Sequence, residues 1–249
     1  MESLDLMGIK DISPDALIFW HWQWVKINAT IVYTWIAMFL LTLGSWLATR
    51  HLQSGRKLSR WQNFLEVVVQ TMRNQIRDIA HGDPAPFLPF VGSLFLFIAL
   101  SNLLTIIPGW VPPTGSLSTT AALALCVLVG VPAYGIQSQG VKNYLGQYVK
   151  PSIIMLPMNI LGELSRTLAL AVRLFGNIMS GSKIAAILLA ITPIIFPVVM
   201  QALGLLTGMI QAYIFAVLAM VYIASAVRIQ KQREQKAQDE ALAKGDDNG

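Results

Sequence analysis

Three stretches of the chain contain no Asp, Glu, Lys or Arg: Ile27–Thr49, Ala85–Val141 and Ile184–Val227. An apolar run of about 20 residues is enough to cross a bilayer as a helix. The pattern therefore predicts a polytopic helical membrane protein. A first span runs from roughly Ile27 to Thr49. A second runs from about Phe87 to Ile107, where Pro108-Gly109 stops it and Pro112-Pro113 follows. A third covers about Ser118 to Gln137. Two long helices complete the chain, about Ile153 to Ile191 and Ile194 to Val227, broken near Pro193 and Pro197. A helix of about 40 residues extends roughly 60 Å, twice the hydrocarbon thickness. Helices of that length must tilt heavily or lie partly in the membrane plane, and steep tilt is imposed by packing against a neighbour.

The segment Ser59–Ala80 has a different period. Trp61, Leu65, Val68, Met72, Ile76 and Ile79 recur at steps of three and four, with Arg73, Arg77 and Asp78 between them. This is an amphipathic helix on the cytoplasmic face or leading into the next span, and Ser59 with Gln62 fits a capping box at its start. Upstream, Phe19, Trp20, Trp22 and Trp24 suit the membrane–water boundary, which makes residues 1–26 an external or interfacial lead-in. The expected organisation is that lead-in, one transmembrane domain over 27–227 and a cytoplasmic charged tail over 228–249, frayed from Ala237. The fold class is an all-α polytopic membrane protein of about five membrane-crossing helices plus the amphipathic helix, the last two forming a tilted hairpin.

Composition agrees with the pattern, because 55% of the 249 residues are hydrophobic and only 12% charged. The net charge of +5 is no nucleic-acid footprint, since the basic residues sit in short loops beside the apolar runs. There they set orientation. Arg50, Arg56, Lys57 and Arg60, then Lys142 and Lys150, then Arg228, Lys231, Arg233 and Lys236 place those segments inside and the N-terminus outside. The opening acids Glu2, Asp5 and Asp11 do not fit a cleaved signal peptide. A single cysteine, Cys126, excludes an intramolecular disulfide and reads as packing.

The chemistry lies in the penultimate helix. Between Pro151 and Val227 the ionisable residues are Glu163, Arg166, Arg173 and Lys183. Charge at membrane depth costs several kcal/mol unless paired or hydrated, which marks such residues as functional candidates. Asn159, Glu163, Arg166, Arg173 and Asn177 fall within about 80° of one another on a helix of 3.6 residues per turn. Glu163 and Arg166 either neutralise each other near the cytoplasmic end or belong to a working stripe. Arg173 lies almost two turns further in. A guanidinium keeps its charge at any physiological pH, so Arg173 either snorkels to an interface or calls for a carboxylate from another molecule.

Arg173-Leu174-Phe175-Gly176-Asn177 resembles the signature of subunit a of F-type ATP synthases, and the resemblance covers most of the chain. Pro86-Phe87-Leu88-Pro89-Phe90 through Leu100-Ser101-Asn102-Leu103 is similar to that family's second membrane segment, Thr119–Leu125 to its third, and Ile210-Gln211-Ala212-Tyr213-Ile214-Phe215-Ala216 to its final helix. The resemblance implies that Arg173 is the stator arginine facing a ring of rotor c subunits. Each rotor subunit carries a carboxylate that must be neutral against lipid and is favoured in its ionised form opposite a fixed positive charge. Arg173 would then release the ion and separate two aqueous half-channels, forcing the ion through a nearly full turn. Each charge crossing about 100 mV supplies roughly 2.3 kcal/mol. Gln211 matches the family's glutamine near that arginine. Asn102, Asn177 and Glu163 match polar positions along the half-channels, with Arg166, Asn159, Ser182 and Lys183 as further candidates for the ion pathway. The implied partners are the rotor ring, peripheral-stalk b subunits, the rest of the complex and the bilayer. No cofactor, metal or nucleic acid is implied. The implied location is a bacterial plasma membrane, and the ATP chemistry belongs to the soluble sector.

Two positions depart from the family pattern. Where many relatives carry an acid or a histidine about five residues after the asparagine, this chain has Ser182 beside Lys183. In the outer loop, Gly115-Ser116 replaces an Asn-Asp. A change of ion to sodium and proton passage through water and neutral polar groups both remain open. Two other function classes are weaker. An unrelated secondary transporter gated by the Glu163, Arg166 and Arg173 stripe would normally carry internal repeats, and none is seen. A membrane-embedded enzyme would need a nucleophile or metal motif. His21, His51 and His81 are scattered near the interfaces, with no His-Glu-x-x-His and no Gly-x-Ser-x-Gly.

Overall fold

The computed structural model describes residues 18–22, 25–50, 60–80, 83–107, 110–141, 155–191 and 195–246. Six long helices dominate it: α1 (Ala29–Arg50), α2 (Arg60–Ala80), α3 (Leu88–Leu103), α4 (Leu117–Gln139), α5 (Met155–Ile191) and α6 (Ile195–Asp246). The spans expected from the charge-free runs are α1, α3 and α4, with ends within a few residues of those read from the sequence. Ser59, Pro108, Gly109 and Pro193 lie outside the described residues. Among the described residues α5 ends at Ile191 and α6 starts at Ile195, and Pro197 sits in the first turn of α6, where a missing N–H disturbs no helical bond.

Two features differ from the sequence expectation. The lead-in carries a two-stranded antiparallel hairpin, β1 (Ile18–Trp22) with β2 (Val25–Asn28), pairing Trp20 with Ile27 and Trp22 with Val25. The charged tail continues α6 as far as Asp246 instead of fraying from Ala237. Residues 228–246 are rich in Ala, Gln, Lys, Arg and Glu and contain no proline, so helix propensity outweighs their polarity.

Among the described residues four helices are long and apolar enough to cross a membrane: α1, α3, α4 and α6, the last through the 30 residues Val198–Val227. The 37-residue α5 is the fifth long helix of the bundle, and it carries Glu163, Arg166, Arg173 and Lys183 along its length. The core gathers where α6 crosses the others. Ile98 of α3, Val127 of α4, Leu170 and Leu174 of α5, and Phe215, Met220 and Ile223 of α6 are almost wholly buried together. Helices α3 and α4 approach closely at Gly130, where a Cβ would stand 2.8 Å from Cζ of Phe90. The Phe90 ring meets Tyr134 one turn on, at 5.8 Å between centroids.

Helix α2 turns its Ile76 into this core and stays exposed along Arg73, Arg77 and Asp78, as the three-and-four spacing requires. Its Gln75 Oε1 accepts a 2.9 Å hydrogen bond from the Tyr213 hydroxyl of α6. An apolar cavity of about 430 Å³ lies beside that bond, lined by Leu65, Met72, Phe95, Ala99 and Met220 among others. Helix α1 is the most exposed span, with only 11% of its apolar stretch buried. It is held through Ala29, Ala37 and a Tyr33 ring tilted against Trp110, with the centroids 4.7 Å apart.

Candidate functional site

Helix α5 buries Thr167, Leu170, Ala171 and Leu174 and leaves Arg166, Ala169, Val172 and Arg173 exposed. The polar stripe thus runs along the border between the packed face and an open one. That border faces α6. Asn177 Nδ2 donates to the Thr207 carbonyl at 3.3 Å, and the Arg166 guanidinium lies 5.6 Å from the ring centroid of Tyr222. Two contacts well apart on an antiparallel pair set its register. One turn back along α5 from Asn177 is Arg173, and one turn on along α6 from Thr207 is Gln211, so these two occupy facing turns.

The α3 side closes around the same turns of α6. Asn102 is buried and its Nδ2 donates to the Gly208 carbonyl at 2.9 Å. The consecutive carbonyls of Thr207 and Gly208 therefore accept from asparagines on opposite sides, each using the second lone pair that a helical carbonyl leaves free. Gly208 is required for this approach, because a Cβ there would lie 2.9 Å from Cγ of Asn102. Gln211 is only 5% exposed and its Nε2 finds no acceptor among the described residues. A buried amide N–H left without a partner costs about 1–3 kcal/mol.

Arg173 has a different setting. Its side chain is exposed on the isolated chain, as are the apolar Val172 beside it on α5 and Leu206 and Ile210 on α6. Glu163 is the one acid between Asp83 and Glu234 in the sequence. Ten residues of helix put it roughly 15 Å from Arg173, so the chain offers this cation no carboxylate at its own depth. Arg166 instead rests against an aromatic face, an attraction of about 0.5–2 kcal/mol.

The remaining sequence candidates are spread along α5. Asn159 and Glu163 are half-buried towards one end, where the Glu163 carbonyl accepts from the Thr167 hydroxyl at 2.9 Å. Ser182 and Lys183 are exposed towards the other, and Ser182 Oγ donates back to the Met179 carbonyl at 3.0 Å. The structure thus gathers Arg173, Gln211, Asn177 and Asn102 around two turns of α6 and leaves Asn159, Glu163, Ser182 and Lys183 towards the ends of α5. Sequence reasoning missed Thr207, Gly208 and Tyr222. Thr207 and Gly208 act through backbone carbonyls that any residue supplies, and Tyr222 lacks a charge to draw notice.

The sequence pattern of the family described as ATP synthase A chain matches residues 31–224. ATP synthase subunit a 2 of Acaryochloris marina (strain MBIC 11017) is 58% identical over 224 residues, covering 90% of this chain and 96% of that protein. ATP synthase subunit a of Albidiferax ferrireducens (strain ATCC BAA-621 / DSM 15236 / T118) is 60% identical over 222 residues, covering 89% and 96%. ATP synthase subunit a of Nitrosospira multiformis (strain ATCC 25196 / NCIMB 11849 / C 71) is 56% identical over 229 residues, covering 92% and 91%. With four apolar spans and a match over most of its length, this multi-pass membrane chain belongs to the ATP synthase A chain family.

Proposed function

We propose that the chain is the stator of a rotary ATP synthase and that Arg173 is the charge against which rotor carboxylates lose and regain their ion. The observation that carries this reading is an exposed arginine on an apolar face with no carboxylate of its own chain at that depth. A passing carboxylate finds its ionised form favoured there and its neutral form favoured on leaving, because an adjacent opposite charge shifts the balance by one to three pKa units. The open face formed by Val172, Arg173, Leu206 and Ile210 suits a ring that carries apolar helices with one acid each. Gln211 stands on the facing turn of α6, buried behind this face. Arg173 also closes direct passage, since a fixed cation repels an ion moving straight from one access route to the other.

On this reading the ring is built of c subunits, the other partners are b-type stalk subunits, and the membrane is the bacterial plasma membrane. Basic residues at Arg50, Arg60 and Arg228 put those ends in the cytoplasm and the turn Pro113–Gly115 on the outer side.

ATP-driven ion uptake into inverted vesicles, with and without sodium and a protonophore, tests the assignment. Arg173→Ala should abolish uptake while the complex still assembles, and the protonophore response identifies the ion. Unchanged uptake in that variant would remove Arg173 from the mechanism.

A further inference from the structure

The outer route to Arg173 is where this chain lacks the acids that its relatives' pattern leads one to expect, and the structure shows what stands there instead. The turn Pro113–Gly115 is buried among the ends of α1, α3, α4 and α5. It lies directly on α5, because a Cβ on Gly115 would stand 3.3 Å from Cγ2 of Ile178. Ile178 is five residues from Arg173, about 7.5 Å along the helix. Ser182 lies about 40° round the helix from Ile178 and Lys183 about 140°, so the serine and not the lysine shares the face towards the turn.

Two hydroxyls, one in this turn and one on α3 that packs against it, are anomalous. Thr114 in the turn and Ser101 in the last turn of α3 are fully buried, and neither Thr114 Oγ1 nor Ser101 Oγ finds a hydrogen-bond partner among the described residues. Most other serines and threonines in the helices bond to a carbonyl three or four residues back, as Thr105, Thr120, Thr167 and Ser182 do. A buried hydroxyl without a partner is unfavourable unless something from outside the chain bonds to it. The buried Trp110 Nε1 beside the turn likewise has no partner among the described residues. Next to it Ser116 Oγ and Ser118 Oγ meet at 2.6 Å at the start of α4. The sequence places no acid or histidine between Asp83 and Glu163, so every side-chain oxygen of this group is neutral.

We infer that Thr114 and Ser101 form a neutral hydroxyl station on the outer access route, which holds the ion or its water between the outer surface and Arg173. This rests on the stator reading. A hydroxyl both donates and accepts, so it can bond to a water chain or contribute an oxygen to a partly dehydrated cation. Like the carbonyl rings of channel filters, neutral oxygens bind weakly enough to let the ion move on. The Gly115-Ser116 replacement and the Ser182 substitution then belong together, because a route built on hydroxyls needs neither acid.

The test uses the whole complex in inverted vesicles, following ATP-driven proton and sodium uptake in parallel. Thr114→Val and Ser101→Ala should each slow uptake about tenfold, equivalent to losing one hydrogen bond to the moving species, while Thr114→Ser keeps most of the parent rate. Ser225→Ala, near the end of the apolar stretch of α6 where the hydroxyl donates to the Tyr222 carbonyl, should change nothing. In a Cys126→Ala background, Thr114→Cys and Ser101→Cys should confer inhibition by silver ion added in water. Because cysteine is close in size to the residues it replaces, this decides the matter even if the valine variant assembles poorly. Parent rates together with silver insensitivity overturn the station. If Arg173→Ala is inactive in the same vesicles, the stator reading survives that result; if it too runs at the parent rate, both fall.

Discussion

Gly208 shows how a residue without a side chain holds the site in place. Its missing Cβ lets Asn102 reach the α6 backbone, and the same contact makes substitution costly. Gly208→Ala should force Asn102 aside and break the 2.9 Å bond to the Gly208 carbonyl. Overpacking of this kind costs about 1–3 kcal/mol. The expected outcome is a lower temperature for dissociation of the purified complex and a reduced coupled rate. The double variant Asn102→Ala with Gly208→Ala should recover most of the lost stability, because the two positions share one contact. Equal losses that simply add would show that the pair does not interact. Thr207 and Gly208 were not legible from sequence for a related reason, since what they supply is backbone. Arg173 and Gln211 were legible because a charge and an amide in an apolar run stand out.

At the scale of elements, the register of α5 against α6 decides whether Arg173 and Gln211 meet. Asn177 opposite Thr207 fixes it at one point and Arg166 against Tyr222 at another. In a Cys126→Ala background, Asn177→Cys with Thr207→Cys should crosslink with a short bifunctional thiol reagent. Asn177→Cys with Gln211→Cys, displaced by one turn or about 6 Å, should react far less. Reversed yields would shift the hairpin by a turn and separate the two site residues. The bond between Tyr213 and Gln75 is a separate tie, joining α2 to α6 at an exposed position. Tyr213→Phe should cost no more than about 1 kcal/mol, and hydrogen exchange along α2 should quicken while uptake stays unchanged. Loss of uptake would make α2 part of the working site and not merely a brace. The helices were readable because charge-free runs and three-and-four spacing each have one physical reading in a bilayer. The β1–β2 hairpin was not, since its aromatic run Phe19–Trp24 fits an interfacial lead-in equally well. Nor was the continuation of α6 to Asp246, where a polar composition conceals strong helix formers.

For the whole molecule the decisive quantity is length. The apolar stretch Val198–Val227 of α6 has 30 residues, which at 1.5 Å each extend about 45 Å against a hydrocarbon core of about 30 Å. Upright, it would leave roughly 15 Å of apolar helix in headgroups and water. Leu203, Leu206, Ile210 and Val221 are exposed on the isolated chain, so protrusion would wet several large side chains. An inclination near 45–50° from the membrane normal matches the two lengths, and it exceeds what isolated membrane helices usually adopt. Packing must therefore hold it, and the contacts that the chain itself supplies are α3 through Asn102 and α5 through Asn177. Such a slant also serves the mechanism. On the proposed stator reading, it would carry the α5–α6 pair obliquely past a rotor, with the turn Pro113–Gly115 and the Glu163 end of α5 opening towards opposite sides of the membrane on either side of Arg173. Orientation-dependent solid-state nuclear magnetic resonance of the complex in aligned bilayers, with label confined to residues 198–227, measures the slant directly. Tilt above about 35° is the expected result. A tilt near 20°, ordinary for a membrane helix, would mean that the bilayer thickens or the helix protrudes, and that the two access routes are offset by something other than the slope of this hairpin.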